Sequence, residues 1–487
     1  MLLPHSLLLL LHVSLTYAQA TQQLSIGSLN TYTSANFSGS TSPALRLPPS
    51  TNLSVSVAIC LSSQSLPRFF VTNNTEISLP GPSGGSNVFE IQLNDGYGNW
   101  TGSTPEGGVL AVTNVGGTPF EVGVTEGDSG PMHEVLTTIP LLGDTTSNQA
   151  LIFSSPFSLP NVVLPTYPNY TLPPANLSYA TQPSSGGSPD FTLVLAPTSS
   201  SSLISEPQTG CALRSATSVG SQIFQSLWLR DASGWRSEWL MGGLTPLTNY
   251  TAYVIENRTK VSGPIYFVTK SALFSCPLVH SVPYCPAVSY AVPLPHPPVN
   301  FAAHDARTLP ESLTDPLLSG LTNFTTMLTT FACGRDIYSP LQTCADCQRE
   351  YRNWLCAISF PRCSEEGLPS TTTSSIAAQQ TGAQVPVSAL VPVTPTNVPR
   401  NLNLPNITSN YSMLLPCLET CTAVDRACPY FLGFKCPLPQ FNANVSYGVG
   451  FIDKGESGVQ GHGLAGYSQD RYGNIWCQGP GLEEGVA

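Results

Sequence analysis

The distribution of cysteine constrains the fold of this chain of 487 residues more than any other feature. Two of the 14 cysteines precede residue 276, and the other twelve lie between Cys276 and Cys477. A dense, even set of cysteines is typical of a disulfide framework in an oxidising compartment. We therefore expect a domain boundary near residue 275, followed by a region that disulfides hold together. The candidate disulfide cysteines are Cys60, Cys211, Cys276, Cys285, Cys333, Cys344, Cys347, Cys356, Cys363, Cys417, Cys421, Cys428, Cys436 and Cys477.

The first 20 residues predict export from the cell. Leu7 to Leu11 form a short apolar run, and Ala18 and Ala20 are the small residues of a signal-peptide cleavage site. No later stretch approaches the ~20 apolar residues that span a bilayer as a helix. We expect residues 1–20 to be a signal peptide and the remaining chain to enter the secretory pathway.

Acceptor sequences for N-glycosylation are spread along the whole chain. Only 10 % of the residues are charged, whereas soluble domains usually carry about 25 %. A glycan coat would supply the surface hydration that the scarce charges do not. The candidate acceptors are Asn36, Asn52, Asn73, Asn99, Asn169, Asn176, Asn249, Asn257, Asn323, Asn406, Asn410 and Asn444.

The balance of charge excludes one class of partner. The formal net charge is −11, and Lys and Arg form no basic stripe. Proteins that bind nucleic acids carry a basic patch that faces the phosphates. We therefore expect no nucleic-acid partner.

Residues 21–150 show the alternation of an antiparallel β-sandwich. From Leu53 to Ile59, apolar side chains alternate with polar or small ones, and this period of two places them on one face of a strand. Clusters of glycine and proline, such as residues 80–85, separate these runs as turns do. The pattern predicts a β-sandwich domain.

Residues 151–190 are rich in proline and serine and predict a linker, which a second β region follows at 191–275. Within that region, residues 244–254 resemble the strand that enters the tyrosine corner of fibronectin type III domains. The second region is therefore expected to be fibronectin-III-like. Cys60 and Cys211 precede the cysteine-dense region, and a bond between them would clamp the two β regions.

The last region, 276–487, changes to helical periodicity. Apolar residues recur at steps of three and four from Leu317 to Phe331, and Asp315-Pro316 is a typical helix start. Cysteines on the apolar faces would staple helix to helix. The low-complexity insert 365–412 is expected to be disordered, because such sequence buries little apolar surface.

Short motifs that resemble enzyme sites do not fit their context. Residues 127–130 and 302–304 resemble parts of a serine-protease triad, but they stand in the reverse chain order. Residues 461–466 have the spacing of a dinucleotide fingerprint without a βαβ unit. Cys344 and Cys347 lie in a cysteine-dense region, which favours disulfides over zinc. We expect no catalytic residue, no cofactor and no metal ion, and hence no enzyme.

The cysteine spacing of the last region resembles that of the cysteine-rich domain of frizzled receptors. The resemblance includes residues 354–356, residues 360–363 and the run Cys417-x3-Cys421-x6-Cys428. Spacing alone does not choose among the possible connectivities. The resemblance leaves Cys333 and Cys344 for an extra bridge and implies five pairs. These are Cys276 with Cys363, Cys285 with Cys356, Cys347 with Cys428, Cys417 with Cys477, and Cys421 with Cys436.

The order of signal peptide, glycosylated β region and frizzled-like helical domain resembles the fungal stretch-activated calcium-channel regulatory component, the mating-induced-death family. Residues 333–338 (CGRDIY) and 351–356 (YRNWLC) carry this resemblance. It implies an auxiliary subunit on the extracellular face of the plasma membrane that docks on a pore-forming subunit of the four-domain cation-channel type. It also implies high-affinity, stretch- or stress-activated calcium influx, with membrane association through the channel rather than through a spanning helix of this chain.

The disulfide-braced region is the expected docking face, because rigidity lowers the ordering cost of binding. Candidate contacts are Arg335, Tyr338, Arg349 and Arg352, and for each of them core packing or a solvated position is the alternative. Two other functions remain open. One is a secreted receptor-like module that binds a lipid or peptide, and the other is a cell-wall adhesin-type glycoprotein.

Overall fold

The computed structural model describes most of the chain and divides it into two compact units. The first unit lies within residues 1–134 and 206–212, and the second within residues 135–205 and 213–487. Both predicted regions on either side of residue 275 therefore contribute to the second unit. The described residues are 22–37, 43–63, 65–158, 188–200, 203, 205–231, 233–330, 338–365, 389–438, 441–448 and 477–479.

The first unit is a β-sandwich, as the alternation of its sequence predicts. Its strands are β1 (Gln22–Gln23), β2 (Leu29–Tyr32), β3 (Ala44–Leu47), β4 (Ser50–Ile59), β5 (Arg68–Thr72), β6 (Val88–Ile91), β7 (Tyr97–Thr104), β8 (Gly108–Thr113) and β9 (Phe120–Glu126). One sheet has the order β1-β3-β8-β5-β6 and the other the order β2-β9-β4-β7. Side chains of both sheets, such as Val55 and Phe69, meet in one apolar core.

A disulfide between Cys60 and Cys211 joins two residues that are 151 positions apart in the sequence. Both cysteines belong to the first unit, so this bond fastens the segment 206–212 to the sandwich of that unit. The Thr209 hydroxyl strengthens the attachment by donating a hydrogen bond of 2.6 Å to the Ile59 carbonyl. The segment is thus held by a covalent bond and a buried polar contact.

The second unit contains another β-sandwich, followed by short strands and helices. Its strands are β10 (Glu134–Val135), β11 (Leu141–Thr145), β12 (Ala150–Phe153), β13 (Phe191–Pro197), β14 (Ser221–Asp231), β15 (Gly234–Gly242), β16 (Asn249–Glu256), β17 (Lys260–Val268), β18 (Leu278–Val279), β19 (Tyr290–Ala291), β20 (Arg362–Ser364), β21 (Leu390–Val393) and β22 (Tyr411–Leu414). The sheets β10-β17-β16-β13 and β11-β12-β15-β14 share a core that includes Ile152, Trp239 and Tyr250.

The expectation that the linker begins at residue 151 is wrong. Strand β12 pairs with β11 and β15, and all four of its residues are buried. A strand that is buried on both faces has a continuous apolar run rather than alternation, so the period of two does not reveal it. The expected linker residues 159–187 lie outside the described residues.

Tyr250, at the start of β16, has the hydrogen bond that the sequence comparison anticipated. Its hydroxyl accepts a hydrogen bond of 2.9 Å from the backbone N–H of Thr245. The ring stacks on Phe267 of β17 with centroids 5.7 Å apart. A tyrosine that bonds back to upstream backbone fixes the corner by which the chain enters the strand.

The helices are α1 (Gly210–Ser215), α2 (Glu311–Thr330), α3 (Cys344–Ser359), α4 (Leu418–Ala427) and α5 (Ala443–Ser446). The predicted apolar face of α2 is confirmed, since its buried residues include Leu317, Leu321 and Phe324. The expected start at Asp315 is wrong, because α2 begins at Glu311 and contains Pro316. The apolar face extends back to Leu313, whose burial offsets the backbone hydrogen bond that the proline lacks. No described helix is long and apolar enough to cross a membrane.

The expected disordered insert, 365–412, contains ordered structure in its second half. Strand β21 pairs antiparallel with β22, which in turn pairs with β20. Leu404 is buried, and the Asn401 side chain donates a hydrogen bond of 2.9 Å to the Ser359 carbonyl at the end of α3. The low-complexity composition of the whole insert obscured this short apolar strand. Residues 366–388 lie outside the described part of the chain.

Candidate functional site

Disulfides join the helices α3 and α4 to other segments of the cysteine-rich region. The structure contains the five pairs that the frizzled-like resemblance implies. They are Cys276–Cys363, Cys285–Cys356, Cys347–Cys428, Cys417–Cys477 and Cys421–Cys436. Cys344 is also disulfide-bonded, whereas Cys333 lies outside the described residues. Since each closed loop removes freedom from the unfolded chain, each bridge should contribute about 2–4 kcal/mol.

Aromatic side chains fill the space between α2, α3 and α4. Phe324 of α2 stacks on Tyr351 of α3, with ring centroids 3.6 Å apart and planes within 6°. Trp354, one turn further along α3, meets Phe434 edge to face at 5.0 Å. Val424 of α4 is completely buried in the same cluster. The helices are therefore fixed by packing as well as by disulfides.

Tyr338 connects the start of α3 to the end of α4. Its hydroxyl lies 2.7 Å from the Thr343 carbonyl oxygen and 2.6 Å from the Ala427 carbonyl oxygen. Burial raises the pKa of Tyr338 to about 12, so the hydroxyl keeps its proton and remains a donor. Thr343 caps α3, because its hydroxyl accepts a hydrogen bond from the Asp346 backbone N–H while the Asp346 carboxylate accepts one from the Thr343 N–H.

The predicted contact residues differ in their exposure to solvent. Arg349 is exposed and pairs with Asp346 and Glu350, whereas Tyr338 is half-buried. Arg352 is only 4 % exposed, so the expectation that it contacts a partner from the surface is wrong. Its face of α3 is turned inward, as the burial of Cys356 one turn later indicates. Arg335 lies outside the described residues.

Large apolar side chains are exposed on the two segments that meet at Tyr338. Leu341 precedes α3 and is 84 % exposed, and Tyr430 follows α4 and is 87 % exposed. Phe431 is half exposed, and its ring is 6.0 Å from that of Tyr430. We call Leu341, Tyr430 and Phe431 the Tyr430 surface. The sequence alone does not reveal it, because exposed apolar residues and core residues give the same local pattern.

Every predicted glycosylation acceptor among the described residues has some exposure. Asn36, Asn99, Asn257, Asn323, Asn406, Asn410 and Asn444 are exposed, and Asn52, Asn73 and Asn249 are partly exposed. Asn169 and Asn176 lie outside the described residues. No acceptor sequence occurs in 338–359 or 417–436, the two segments that carry the Tyr430 surface and its helices.

A buried cluster of charges connects the sandwich of the second unit to its cysteine-rich region. Asp144 on β11 accepts hydrogen bonds from Lys270 at 2.5 Å and from Arg362 on β20 at 3.0 Å. The Ala291 backbone N–H donates to the same carboxylate at 3.1 Å. Burial opposes ionisation of Asp144, but Arg362 and Lys270 outweigh it and hold its pKa at about 2. Burial lowers the pKa of Lys270 despite the attraction of Asp144.

Glu238 and His280 form a second buried pair, in which neighbouring charges do not outweigh the cost of burying the Glu238 carboxylate. Glu238 of β15 accepts a hydrogen bond of 2.8 Å from the Ser281 hydroxyl, and the His280 ring nitrogen lies 4.0 Å from the same oxygen. Burial raises the pKa of Glu238 to about 7 and lowers the pKa of His280 to about 4. Between these two pKa values, both side chains are therefore mainly neutral.

The motifs that resemble a serine-protease triad have structural roles. Both ring nitrogens of His304 are engaged, one at 3.1 Å from the Thr308 hydroxyl and the other at 2.9 Å from the Pro295 carbonyl oxygen. Gly127–Ser129 form a short 3-10 helix in the first unit, whereas His304 belongs to the second.

Residues 53–460 match the family model described as Mid1, stretch-activated Ca2+-permeable channel component. This chain belongs to the Mid1 family. The match covers the first sandwich from within β4 onward, the second sandwich and all of the candidate disulfide cysteines except Cys477. It confirms the family resemblance derived from the sequence.

Curated members of the Mid1 family from three fungi are similar to this chain. It is 33 % identical to the stretch-activated cation channel MID1 of Cryptococcus neoformans over 508 aligned positions. This alignment covers 89 % of this chain and 81 % of that protein. Identity to the stretch-activated cation channel yam8 of Schizosaccharomyces pombe is 29 %, over 44 % of this chain and 41 % of yam8. Identity to MID1 of Saccharomyces cerevisiae is 29 %, over 40 % of this chain and 34 % of the relative.

Proposed function

We propose that this chain is an extracellular auxiliary subunit of a plasma-membrane calcium channel. In this role it docks on a pore-forming subunit of the four-domain cation-channel type and supports high-affinity calcium influx on stretch or stress. It performs no catalysis. Membership of a family described as a channel component supports this function, because a component acts together with other parts of a channel.

The Tyr430 surface carries the proposal for the docking site. Aromatic residues are enriched where proteins bind one another, and the exposed rings of Tyr430 and Phe431 lie 6.0 Å apart. The segments that form this surface are held by the Cys347–Cys428 bridge and by the Tyr338 hydroxyl. Little ordering is needed on binding, which favours affinity.

The expected partner surface is an apolar extracellular loop of the pore-forming subunit. The acceptor-free segments around Tyr430 support this choice, because a glycan would otherwise keep a partner away. The exposed Arg349 of α3 is already paired with Asp346 and Glu350. Apolar burial rather than net charge should therefore provide most of the binding free energy.

We further infer that the two parts of the second unit have the finer folds that the sequence suggests. The Tyr250 hydrogen bond to Thr245 supports a fibronectin-III-like sandwich. The five disulfide pairs support a frizzled-like cysteine-rich region. Its cavity beside Cys285, Tyr290 and Ala357 has a volume of about 10 Å³, room for about one water molecule.

Co-purification tests the proposed function directly. The tagged full chain is expressed in its fungal host, extracted in mild detergent, and its partners are identified by mass spectrometry. We expect a very large polytopic membrane protein in near-stoichiometric amount. Recovery of only a small lipid or peptide would support the receptor-like alternative, and recovery of only wall carbohydrate would support the adhesin. Either result would contradict the channel role.

A further inference from the structure

Residues 441–448 form a short segment that is anchored to the helices on one side. Ala443 is buried against Leu418 and Cys421 of α4. The Trp354 indole donates a hydrogen bond of 3.0 Å to the Tyr447 hydroxyl. The Gly448 N–H donates to the Pro416 carbonyl at 2.9 Å, and the Gly448 carbonyl accepts from Leu418 at 2.8 Å. The backbone of this segment is therefore fixed.

The other side of the segment exposes apolar side chains around an acceptor asparagine. Phe441 is 75 % exposed and Val445 is 74 % exposed, although neither is polar. Leu438 is also exposed, and its carbonyl accepts hydrogen bonds from the N–H groups of Phe441 and Ala443. Asn444 lies within this group and is exposed. We call Leu438, Phe441, Asn444 and Val445 the Asn444 patch.

The spacing of Phe441 and Asn444 distinguishes this acceptor from the others. Phe441 lies in the turn that leads into α5, three residues before Asn444, which is within α5. Asn73 is the other described acceptor with an aromatic residue at this spacing, but its Phe70 is only 2 % exposed. Among the described acceptors, Asn444 is therefore the one with an exposed aromatic residue three positions before it.

We propose that Asn444 carries an N-linked glycan whose first N-acetylglucosamine packs on Phe441 and covers the Asn444 patch. One face of a pyranose ring presents C–H groups, and the face of an aromatic ring attracts such weakly positive hydrogens. The contact removes apolar surface from water without requiring a protein partner. The glycan excludes partners from the Asn444 patch. This inference does not depend on the identity of the channel partner.

Glycopeptide mass spectrometry and hydrogen exchange of the secreted full chain test the proposal. We expect high occupancy at Asn444. In peptides covering 441–448, hydrogen exchange should be about threefold slower in the glycosylated chain than in Asn444→Gln, because the packing of the sugar on the ring stabilises the segment. In a Phe441→Ser background, Asn444→Gln should leave exchange nearly unchanged. Enzymatic trimming to one N-acetylglucosamine should preserve the protection.

A matched control uses the acceptor at Asn406, which has no aromatic residue three positions before it. Thr408→Ala removes that glycan and should leave the exchange of 441–448 unchanged, both in the chain with Phe441 and in the Phe441→Ser chain. An unoccupied Asn444 would overturn the proposal. Protection that is equal in the Phe441 and Phe441→Ser chains would also overturn it, because the sugar would then make no contact with the ring.

Discussion

The Arg362 guanidinium donates a hydrogen bond of 3.0 Å to the Asp144 carboxylate across a separation of 218 residues. This contact joins β20 of the cysteine-rich region to β11 of the second sandwich, and both side chains are almost inaccessible to solvent. Arg362 precedes Cys363, which is bonded to Cys276. A covalent bond and a buried ion pair thus lie side by side where the two parts of the second unit meet.

Removing Arg362 should destabilise the second unit strongly. Arg362→Met leaves the buried Asp144 carboxylate with less compensation, which typically costs about 3–5 kcal/mol. The urea midpoint followed by tryptophan fluorescence should fall, since five of the six tryptophans belong to this unit. The control Arg68→Gln breaks an exposed pair with Glu90 in the first unit and should leave the midpoint unchanged. Equal effects of the two variants would refute the importance of burial here.

Glu238 should make stability depend on pH in a defined direction. Its folded pKa of about 7 lies above the ordinary value of 4.5, so its contribution is complete below pH ~4.5 and is lost as the pH rises through ~7. Glu238→Gln keeps the neutral form at every pH. We expect its unfolding midpoint to match that of the native chain at pH 5 and to exceed it at pH 8. A constant difference between the two chains at both pH values would contradict this.

His280 opposes Glu238 over part of the same range. Its folded pKa of about 4 lies below the ordinary value of 6.5, so its contribution is complete above pH ~6.5 and is lost as the pH falls through ~4. The native chain should therefore show little change between pH 5 and 6.5, where the two contributions have opposite slopes. In Glu238→Gln the midpoint should fall steadily as the pH decreases over this range.

The Tyr338 hydroxyl should contribute to stability rather than to recognition. Tyr338→Phe leaves the ring in place and removes a donor to the carbonyls of Thr343 or Ala427. The loss should be about 1 kcal/mol in unfolding free energy. Partner capture at saturating concentration should stay unchanged. A loss of capture without any change in the urea midpoint would instead assign the hydroxyl to the docking contact.

The disulfides of the cysteine-rich region should be required for delivery to the cell surface. Cys356→Ser removes the bond to Cys285, and Cys417→Ser removes the bond to Cys477. We expect each variant to lose surface delivery and calcium uptake together, as measured by surface biotinylation and radioactive calcium. Normal uptake in both variants would contradict the role of the framework.

The sequence predicted local features well and contacts between distant charges poorly. The alternation around Val55 and the apolar face around Leu321 were sufficient to predict the strand β4 and the helix α2. The Asp144–Arg362 pair was missed, because a charged residue in a strand gives no sign of its partner. Arg352 was assigned to the surface because charge usually indicates exposure, although a long side chain on α3 can turn inward.

Calcium uptake with an altered Tyr430 surface tests the central claim most directly. Tyr430→Ser/Phe431→Ser removes the aromatic rings, and Leu273→Ser/Val299→Ser alters two other exposed apolar residues of the second unit. Both variants should reach the cell surface in normal amounts. The docking account predicts that the first variant loses capture of the pore-forming subunit and stretch-activated uptake, while the second retains both. Normal capture and uptake by Tyr430→Ser/Phe431→Ser would contradict it.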